Sequence, residues 1–302
     1  MERHPGGLAE ASGSFDPAHC AVLACLLEAT ARKPGNVHPG ASFRDLTYAD
    51  FVRSAHLIGP TFARAGDWSV GRLVFDAVQR TRREVATNTN LGILLLLAPL
   101  ASVPAGVSIG DGIGGVLGGL TREDARLVYE AIRLANPGGL GRVEHEDLAA
   151  EPSVTLLEAM QLAADRDRIA EQYANNFTAV LAGAERLAAH GAKEARSEFA
   201  SHWEEAVIEL HLWLMAEFPD TLIGRKCGDE MACESALRAR SVLDAGWPDG
   251  ELSADRMVEL DAWLRADGNR RNPGTTADLV AGCLFAALRE GSIEAPDEFR
   301  WA

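Results

Sequence analysis

Apolar residues recur at helical spacing through most of this chain. The segment PAHCAVLACLLEATA has apolar residues at positions i, i+3 and i+4, which is typical of the buried face of a helix. Two later segments, TYADFVRSAHLIGPTFARA and TREDARLVYEAIRLANPGG, each begin with a threonine that an aspartate follows three residues later. Thr47 with Asp50 and Thr121 with Asp124 therefore predict capping boxes at two helix starts.

Three further tracts extend the helical pattern toward the C-terminus. SVTLLEAMQLAADRDRIAEQYANNFTAVLAGAERLAAHG predicts a long helical tract with a break near Asp165. EARSEFASHWEEAVIELHLWLMAEFPD predicts an amphipathic helix that ends at Pro219, and TTADLVAGCLFAALREGS a short, very apolar one. Alternating patterns rich in β-branched residues are nearly absent. The sequence predicts an all-α fold, with a flexible tail at 1–14 and a single bundle-like domain of ten or more helices at 15–302.

Composition and charge narrow the class of protein. The 302 residues are 47% hydrophobic and 24% charged with a formal net charge of −15, as in an ordinary globular protein. An acidic protein is a poor partner for nucleic acid or an anionic membrane, although a few local cations can hold a small phosphorylated ligand.

The longest apolar stretch, 91–110, is interrupted by prolines and glycines, which favours a buried helix and loop over a membrane span. Irregularly spaced cysteines and the lack of an apolar signal segment predict a cytoplasmic protein with reduced thiols.

Four loops between the predicted helices are candidates for ligand binding. They are ARKPGNVHPG (31–40), ATNTNLG (86–92), PDTLIGRKCGDE (219–230) and GNRRNPGTTAD (268–278). Three of them hold a basic pair near a glycine: Arg32–Lys33, Arg225–Lys226 and Arg270–Arg271. Glycine lets backbone N–H groups approach a ligand, helix N-termini attract anions, and cations add charge-assisted hydrogen bonds to phosphate. If the loops meet, they form a phosphate-lined cleft; the alternative for any one loop is that its cations lie in solvent or complement helix dipoles.

Carboxylates accompany the same loops. Glu28, Asp45 and Asp278 are the candidate catalytic acids, and Asp45 and Asp278 the candidate ligands of a Mg²⁺ ion that a triphosphate would bring. Glu28 lies in an apolar helical stretch near Lys33, where the alternative is a buried salt bridge. Asp278 fits equally well as the acid of a capping box with Thr275.

A fourth acid and a pair of asparagines complete the candidate set. Asp220 follows Pro219 and is interpreted either as an active-site acid or as the cap of the next turn. Asn88 and Asn90 can donate and accept hydrogen bonds at once, which suits the edge of a base or a ribose hydroxyl.

Taken in order, these motifs resemble one enzyme family. A glutamate on a helix precedes a Lys-Pro-Gly motif, an Asn-Thr segment follows, then Asp-Thr with a later Arg and Gly, and finally Pro-Gly, two small residues and Ala-Asp-Leu. The chain is similar in this respect, from about residue 20 to 290, to the triphosphoribosyl-dephospho-CoA synthases. The matching residues are Glu28, Lys33, Pro34, Gly35, Asn88, Thr89, Asp220, Thr221, Arg225, Gly228, Pro273, Gly274, Thr275, Thr276, Ala277, Asp278 and Leu279.

The resemblance implies an ATP-dependent transferase. Such an enzyme moves the triphosphoribosyl group of ATP to an alcohol acceptor of the dephospho-CoA type, releases adenine and serves prosthetic-group biosynthesis, with Mg²⁺ as cofactor. A homodimer is a further expectation. The residues expected to bind the nucleotide and its phosphates are Lys33, Gly35, Asn88, Thr89, Asn90, Arg225, Gly228, Arg271, Gly274 and Thr275.

Two departures from the family pattern keep alternatives open. Where the family has Asn-Thr-His-Lys-Gly, this chain has Asn88-Thr89-Asn90-Leu91-Gly92, and His38 replaces an aspartate after the Lys-Pro-Gly motif. A branch acting on another acceptor, such as a pterin that carries one-carbon units, is one alternative. A helical Mg²⁺-dependent nucleotide or ADP-ribose hydrolase is a second, and a helical scaffold protein without enzymatic activity is a third.

Overall fold

The computed structural model describes residues 16–135, 152–191 and 197–299. Their regular structure is helical apart from two isolated β-bridges, which confirms the predicted all-α fold with more than ten helices. The predicted tail at 1–14 lies outside the described residues. The helices are α1 (Pro17–Thr30), α2 (Tyr48–Phe62), α3 (Val70–Glu84), α4 (Leu91–Ala101), α5 (Ile109–Gly118), α6 (Arg122–Ala135), α7 (Leu156–Ala163), α8 (Arg168–Ala174), α9 (Thr178–Gly191), α10 (Ser197–Glu217), α11 (Thr221–Cys227), α12 (Asp229–Asp244), α13 (Ser253–Arg265) and α14 (Gly274–Arg289), with a 3₁₀ turn at Asp297–Phe299.

Helices α1, α4 and α14 form the centre of the main core. Every residue from Cys20 to Ala29 of α1 is buried, as is every residue from Leu279 to Arg289 of α14. Helices that are buried on all sides lie inside a fold rather than on its surface. The apolar stretch that begins at Leu91 is α4, so its interpretation as a buried helix is confirmed. No helix of the described residues combines the length and the apolarity that a membrane span needs.

A smaller apolar cluster lies beside the main core. It joins the second half of α10 to α11, α12 and α13, with Ile208, Leu212, Met215, Ile223, Ala232, Ala239, Val242, Leu260 and Leu264 as its buried members. Helix α10 contributes to both cores and has non-helical backbone angles at His202. The smaller cluster therefore packs α11, α12 and α13 against the second half of α10, a helix that also contributes to the main core.

The predicted long tract before residue 191 is three helices rather than one. The break near Asp165 is confirmed, since α7 ends at Ala163 and α8 begins at Arg168. A second break, which the sequence pattern did not predict, follows α8: Asn176 and Phe177 have φ angles of 57° and 61°. Left-handed backbone is rare for a phenylalanine, but the ring of Phe177 is fully buried in the main core, and this burial offsets the local cost.

Both predicted capping boxes form, with different burial. Thr47 and Asp50 make an exposed one at the start of α2, with Thr47 N donating to Asp50 Oδ2 over 3.0 Å. Asp124 is buried and also links two helices. Its Oδ2 accepts from Thr121 N at 2.9 Å within the cap of α6, and its Oδ1 accepts from Gly71 N on α3 at 2.9 Å. A Cβ at Gly71 would lie 2.5 Å from the Asp124 Cα, so α3 and α6 approach closely here.

Replacing these two aspartates separates a local cap from a link between helices. Asp124→Ala is expected to lower the free energy of unfolding by about 2–3 kcal/mol, because the buried Gly71 N–H loses its acceptor as well. Asp50→Ala removes only an exposed cap and is expected to cost about 1 kcal/mol or less. Urea unfolding of the two variants measures the difference, and equal losses would contradict the linking role of Asp124.

Candidate active site

The first turns of four helices meet in one region of the protein. Thr221 at the start of α11 accepts from Arg168 N at the start of α8 at 3.4 Å and donates to Thr275 Oγ1 at the start of α14 at 3.2 Å. The first turn of α4 joins them through Gly92, which lies against the Asp278 carboxylate. Helix N-termini carry partial positive charge, so this region favours negative groups.

The Lys-Pro-Gly loop closes the same region from the side of α13. Asn36 Nδ2 donates to Asn272 Oδ1 over 2.7 Å, and Gly35 N donates to Asp261 Oδ1 over 2.7 Å. Gly35 has a φ of 76°, and a Cβ there would lie 2.7 Å from Leu264 Cδ1. The predicted meeting of the four loops is therefore observed, but the N–H of Gly35 is already bonded within the protein and is not free for a phosphate.

Glu28 and Lys33 form a buried ion pair. Their exposed fractions are 3% and 0%, and Lys33 Nζ lies 3.0 Å from Glu28 Oε1. The ammonium also donates to the backbone oxygens of Glu28 and Ala31. The alternative of a buried salt bridge is thus confirmed, and the Lys33 ammonium is shielded from solvent. A phosphate contact of Lys33 stays a prediction, one that requires the ammonium to leave Glu28.

Asp220 is a buried carboxylate whose hydrogen-bonding capacity is fully used. Oδ1 accepts from Leu222 N and Ile223 N at 2.8 and 3.0 Å, as the interpretation of Asp220 as a helix cap requires. Oδ2 accepts from Thr276 N and Thr276 Oγ1 at 2.7 and 2.8 Å. Burial raises the pKa of Asp220, and these hydrogen bonds oppose the rise. One side chain therefore ties the first turn of α11 to that of α14.

Asp167 is a site acid that sequence reasoning missed. Its Oδ1 caps α8 by accepting from Ile169 N and Ala170 N at 2.8 and 3.2 Å. Its Oδ2 accepts from Arg225 Nη1 at 2.6 Å, and the pair is about one-third exposed on both sides. The available signal was an aspartate at the break that begins α8 in the string DRDRIA. Arg225, a predicted phosphate ligand, therefore lies in the site beside Asp167.

Asp278 is the acid of this region whose oxygens are not engaged. Within the described part of the chain it forms no hydrogen bond and no ion pair, and it is largely buried. The capping box with Thr275 does not form, because Thr275 Oγ1 bonds to Thr221 and Pro273 precedes the first helical residue. Burial raises the pKa of Asp278 well above its usual range, the negative charges of Glu28, Asp220 and Asp167 raise it further, and Arg225 opposes them. Negative potential thus accumulates at Asp278.

The Asn-Thr segment shapes the start of α4. Asn88 Oδ1 accepts from Leu91 N at 3.1 Å, and Thr89 Oγ1 lies 2.6 Å from Ser54 Oγ. Asn90 is buried and its Nδ2 donates weakly to Thr81 Oγ1 at 3.4 Å. These bonds hold the segment that carries Gly92; contacts of Asn88, Thr89 or Asn90 with adenine or ribose stay predictions.

The remaining predicted cation and metal ligand lie at the rim. The Arg271 guanidinium stacks on the Trp263 ring at 4.7 Å and donates to Trp263 O at 2.8 Å, which turns it toward α13. Asp45 is exposed and accepts from Asn269 Nδ2 at 3.2 and 3.3 Å. Among residues 16–135, 152–191 and 197–299, no three His, Cys, Asp or Glu side chains are arranged to hold a metal ion.

Lys226 is nearer to the acids than Arg271 is. Its Nζ donates to Asn269 O at 3.3 Å, and burial lowers its pKa while Asp220 and Asp45 raise it. Helix α11 thus brings both cations of one basic pair, Arg225 and Lys226, to the site. Gly228, with a φ of 94°, turns the chain from α11 into α12.

His211 on α10 lies beside Lys33 and the Pro34 backbone of the Lys-Pro-Gly loop. It is fully buried, and neither ring nitrogen has a hydrogen bond of normal geometry among the described residues. Burial, and then the charge of Lys33, hold its pKa well below the usual range, which the nearby Pro34 backbone offsets only in part. His211 is therefore neutral and packs as an apolar group.

The fold and the site define the class of protein: an all-α protein whose acidic centre lies where several helix N-termini and two cations converge. Residues 14–296 match the CitG family, ATP:dephospho-CoA triphosphoribosyl transferase, and the chain therefore belongs to that family. It is thus an enzyme, a transferase that uses ATP.

A solved structure agrees with this assignment. The chain is similar to a crystal structure from Archaeoglobus fulgidus described as a candidate triphosphoribosyl-dephospho-CoA synthase, with 29% identity and a TM-score of 0.62. The match covers 80% of this chain and 99% of that one. No curated protein matches the chain.

The ion pair between Glu28 and Lys33 can be tested through stability. Lys33→Met leaves Glu28 buried without its partner and is expected to cost about 3–5 kcal/mol of unfolding free energy. Adding Glu28→Gln removes the buried charge and is expected to restore a large part of that loss. Chemical denaturation of the single and double variants measures both values; a double variant as unstable as Lys33→Met would show that the charge pairing is not the cause.

The buried His211 predicts a pH dependence of stability. Below an ordinary pKa of about 6.5 the unfolded chain binds a proton at His211 and the folded chain does not, so stability falls as pH decreases, by up to about 1.4 kcal/mol per pH unit. His211→Leu is expected to lose less stability than the wild type between pH 7 and pH 5. His202→Leu, at an exposed position, is the control and keeps the wild-type slope. An unchanged slope in His211→Leu would refute the assignment.

Proposed function

We propose that this protein transfers the triphosphoribosyl group of ATP to a hydroxyl of dephospho-CoA, with release of adenine, and that Asp278 is the carboxylate that engages the bound nucleotide. The observation that supports this most is the difference among the four acids. Asp167 and Asp220 are committed to helix caps and Glu28 to Lys33, whereas the oxygens of Asp278 have no partner in the described chain.

The electrostatics of the site suit a metal-bound triphosphate. A carboxylate with unengaged oxygens is the donor that Mg²⁺ prefers, so Asp278 fits a magnesium site completed by phosphate oxygens. When bound, Mg²⁺ would neutralise charge on the triphosphate and relieve the repulsion among the acids. Asp45 is a weaker candidate ligand, because both of its oxygens already accept from Asn269.

The cations of α11 complete the binding of the donor. Arg225 and Lys226 lie on the last turn of α11, where their side chains reach the acids from the solvent side. A guanidinium and an ammonium at this place can hold phosphate oxygens by charge-assisted hydrogen bonds. Arg225 would exchange part of its contact with Asp167 for the phosphate.

The reaction then places positive charge on the ribose. The bond from the anomeric carbon to adenine breaks, the bond to the acceptor oxygen forms, and the proton of the acceptor hydroxyl leaves with adenine; the transition state resembles an oxocarbenium ion. The negative potential from Glu28, Asp167 and Asp220, which also raises the pKa of Asp278, stabilises such a cation. Holding the donor rigidly between α11 and α14 supplies the orientation that transfer requires.

The other expectations about this protein stay proposals. A cytoplasmic location and a homodimer are consistent with a biosynthetic enzyme of this family. A pterin-like acceptor, or water in its place, would change the product but not the donor site. Product analysis therefore decides between transfer to dephospho-CoA, transfer to another alcohol and hydrolysis.

Asp278→Asn tests the proposed function. We expect adenine release from ATP to fall by at least about 100-fold, because the nucleotide loses its charged ligand. Stability at pH 7 is expected to be kept or increased, because burial and the neighbouring acids, which raise the pKa of Asp278, disfavour its ionised form in the folded protein. The measurement is mass spectrometry of products from ATP, Mg²⁺ and dephospho-CoA, together with thermal unfolding.

Asp45→Asn is the matched comparison. At the exposed rim it is expected to lower the rate by less than about 10-fold, in line with a peripheral polar contact. An Asp278→Asn enzyme with wild-type turnover would refute the assignment of Asp278. If the only product besides adenine were ribose triphosphate, with no acceptor adduct, the reaction would be hydrolysis and not transfer.

A further inference from the structure

Gly92 lies in the first turn of α4 directly against the carboxyl group of Asp278. A Cβ added to Gly92 would lie 2.0 Å from Asp278 Oδ2, 2.5 Å from Cγ and 3.0 Å from Oδ1. Real Cβ atoms essentially never come within 3.0 Å of another heavy atom. The three nearest atoms all belong to this one carboxyl group, so any side chain at residue 92 must displace it.

The backbone conformation does not explain the glycine. Gly92 is not among the glycines with positive φ, so an alanine could adopt its helical angles without strain. Alanine is also the better helix former by roughly 1 kcal/mol. The reason for a glycine here is therefore the space that the Asp278 carboxyl group occupies.

The backbone of Asp278 has little freedom to move away from an added methyl group, so only the carboxyl group can turn aside. It lies on α14, whose first turn is fixed to Asp220 by two hydrogen bonds at 2.7 and 2.8 Å. The residues that follow Asp278 on α14 are buried in the main core. The helix cannot slide, so an obstruction at residue 92 would rotate the carboxyl group into another direction.

Other close glycines in this fold serve packing between helices. Gly71 faces the backbone of Asp124, and a Cβ at Gly183 would lie 2.4 Å from Cys283 Sγ in the core. Gly92 differs because its neighbour is the unengaged acid of the site. A Cβ added to Gly110 in α5 would meet nothing within 4 Å, which makes Gly110 a matched helical control.

We propose that Gly92 is a positioning residue. Because Gly92 has no side chain, the Asp278 carboxylate can lie against the first turn of α4, and this placement sets the direction from which Asp278 meets the bound nucleotide. This inference rests on the proposed function, since it assigns Gly92 a role through Asp278. Neither phosphate binding nor backbone geometry explains why residue 92, the last of the Asn88–Gly92 segment, is a glycine, whereas contact with Asp278 does.

A double-mutant cycle tests the contact without any use of activity. Gly92→Ala is expected to lower the melting temperature of the full chain by about 3–6 °C, a shift of the size that displacing one packed group causes. In an Asp278→Ala background all three obstructing atoms are gone, so the same substitution is expected to cause no loss. Gly110→Ala should be neutral or stabilising in both backgrounds. If Gly92→Ala does not fold beside Asp278, its recovery in the Asp278→Ala background supports the same conclusion.

Kinetics then separate positioning from mere packing. Gly92→Ala is expected to reduce kcat/KM for ATP by about 10–100-fold, the effect of misplacing a ligand by roughly 1 Å, and to raise the Mg²⁺ concentration that gives half-maximal rate. Gly110→Ala should leave both values unchanged. A substitution that only loosened the fold would leave the Mg²⁺ dependence of the folded enzyme at its wild-type value.

Two results would overturn the inference, and both differ from failure of the proposed function. Equal destabilisation by Gly92→Ala in the two backgrounds would show that Asp278 is not what the glycine accommodates. Wild-type kinetics in Gly92→Ala, with Asp278→Asn inactive, would show that the contact does not position the acid. If Asp278→Asn were itself fully active, the proposed function would fail, whatever the cycle showed about the contact.

Discussion

The buried carboxylate of Asp220 is the interaction on which the rest of the site depends. Its two oxygens accept four hydrogen bonds, two from the first turn of α11 and two from Thr276 on α14. Because α11 carries Arg225 and Lys226 and α14 carries Asp278, this single side chain fixes the cations relative to the acid. A buried carboxylate is costly without such bonds, and here each lone-pair direction is used. The same hydrogen bonds that offset the burial of Asp220 therefore fix α11 relative to α14.

The other acids are tolerated for the same physical reason. Asp167 is stabilised by the N-terminus of α8 and by Arg225, and Glu28 by the ammonium of Lys33. Among the described residues, Asp278 caps no helix and forms no ion pair. Burial and the neighbouring negative charges therefore raise its pKa. The fold therefore pairs three of these carboxylates internally, whereas Asp278 has no such partner in the described part of the chain, so its charge is offset by a proton or by a bound cation. That asymmetry distinguishes a ligand site from an ordinary cluster of helix caps.

Local sequence rules predicted the helices well but not the assignment of partners. Threonine followed by aspartate marks Thr47 and Thr121 correctly, because a capping box involves neighbours in sequence. The same rule fails at Thr275, whose hydroxyl bonds instead to Thr221, fifty-four residues away. The left-handed Phe177 was equally hidden, since its conformation is maintained by core packing that no local pattern encodes. The sequence offered both a phosphate contact and a buried salt bridge for Lys33, and only the folded chain shows that Glu28 lies 3.0 Å from its ammonium.

The departure from the family pattern at the start of α4 has a structural consequence. Leu91 stands where the family has a lysine, and it is buried in the main core, while Asn90 points to Thr81. The first turn of α4 thus contributes a close backbone surface and a positive dipole to the site but no cation. Lys33 is held by Glu28, and Arg225 and Lys226 on α11 lie near Asp167 and Asp220. Under the proposed assignment, recognition of the triphosphate would depend on α11 more than on the Asn-Thr segment, and on Asp220, which anchors α11.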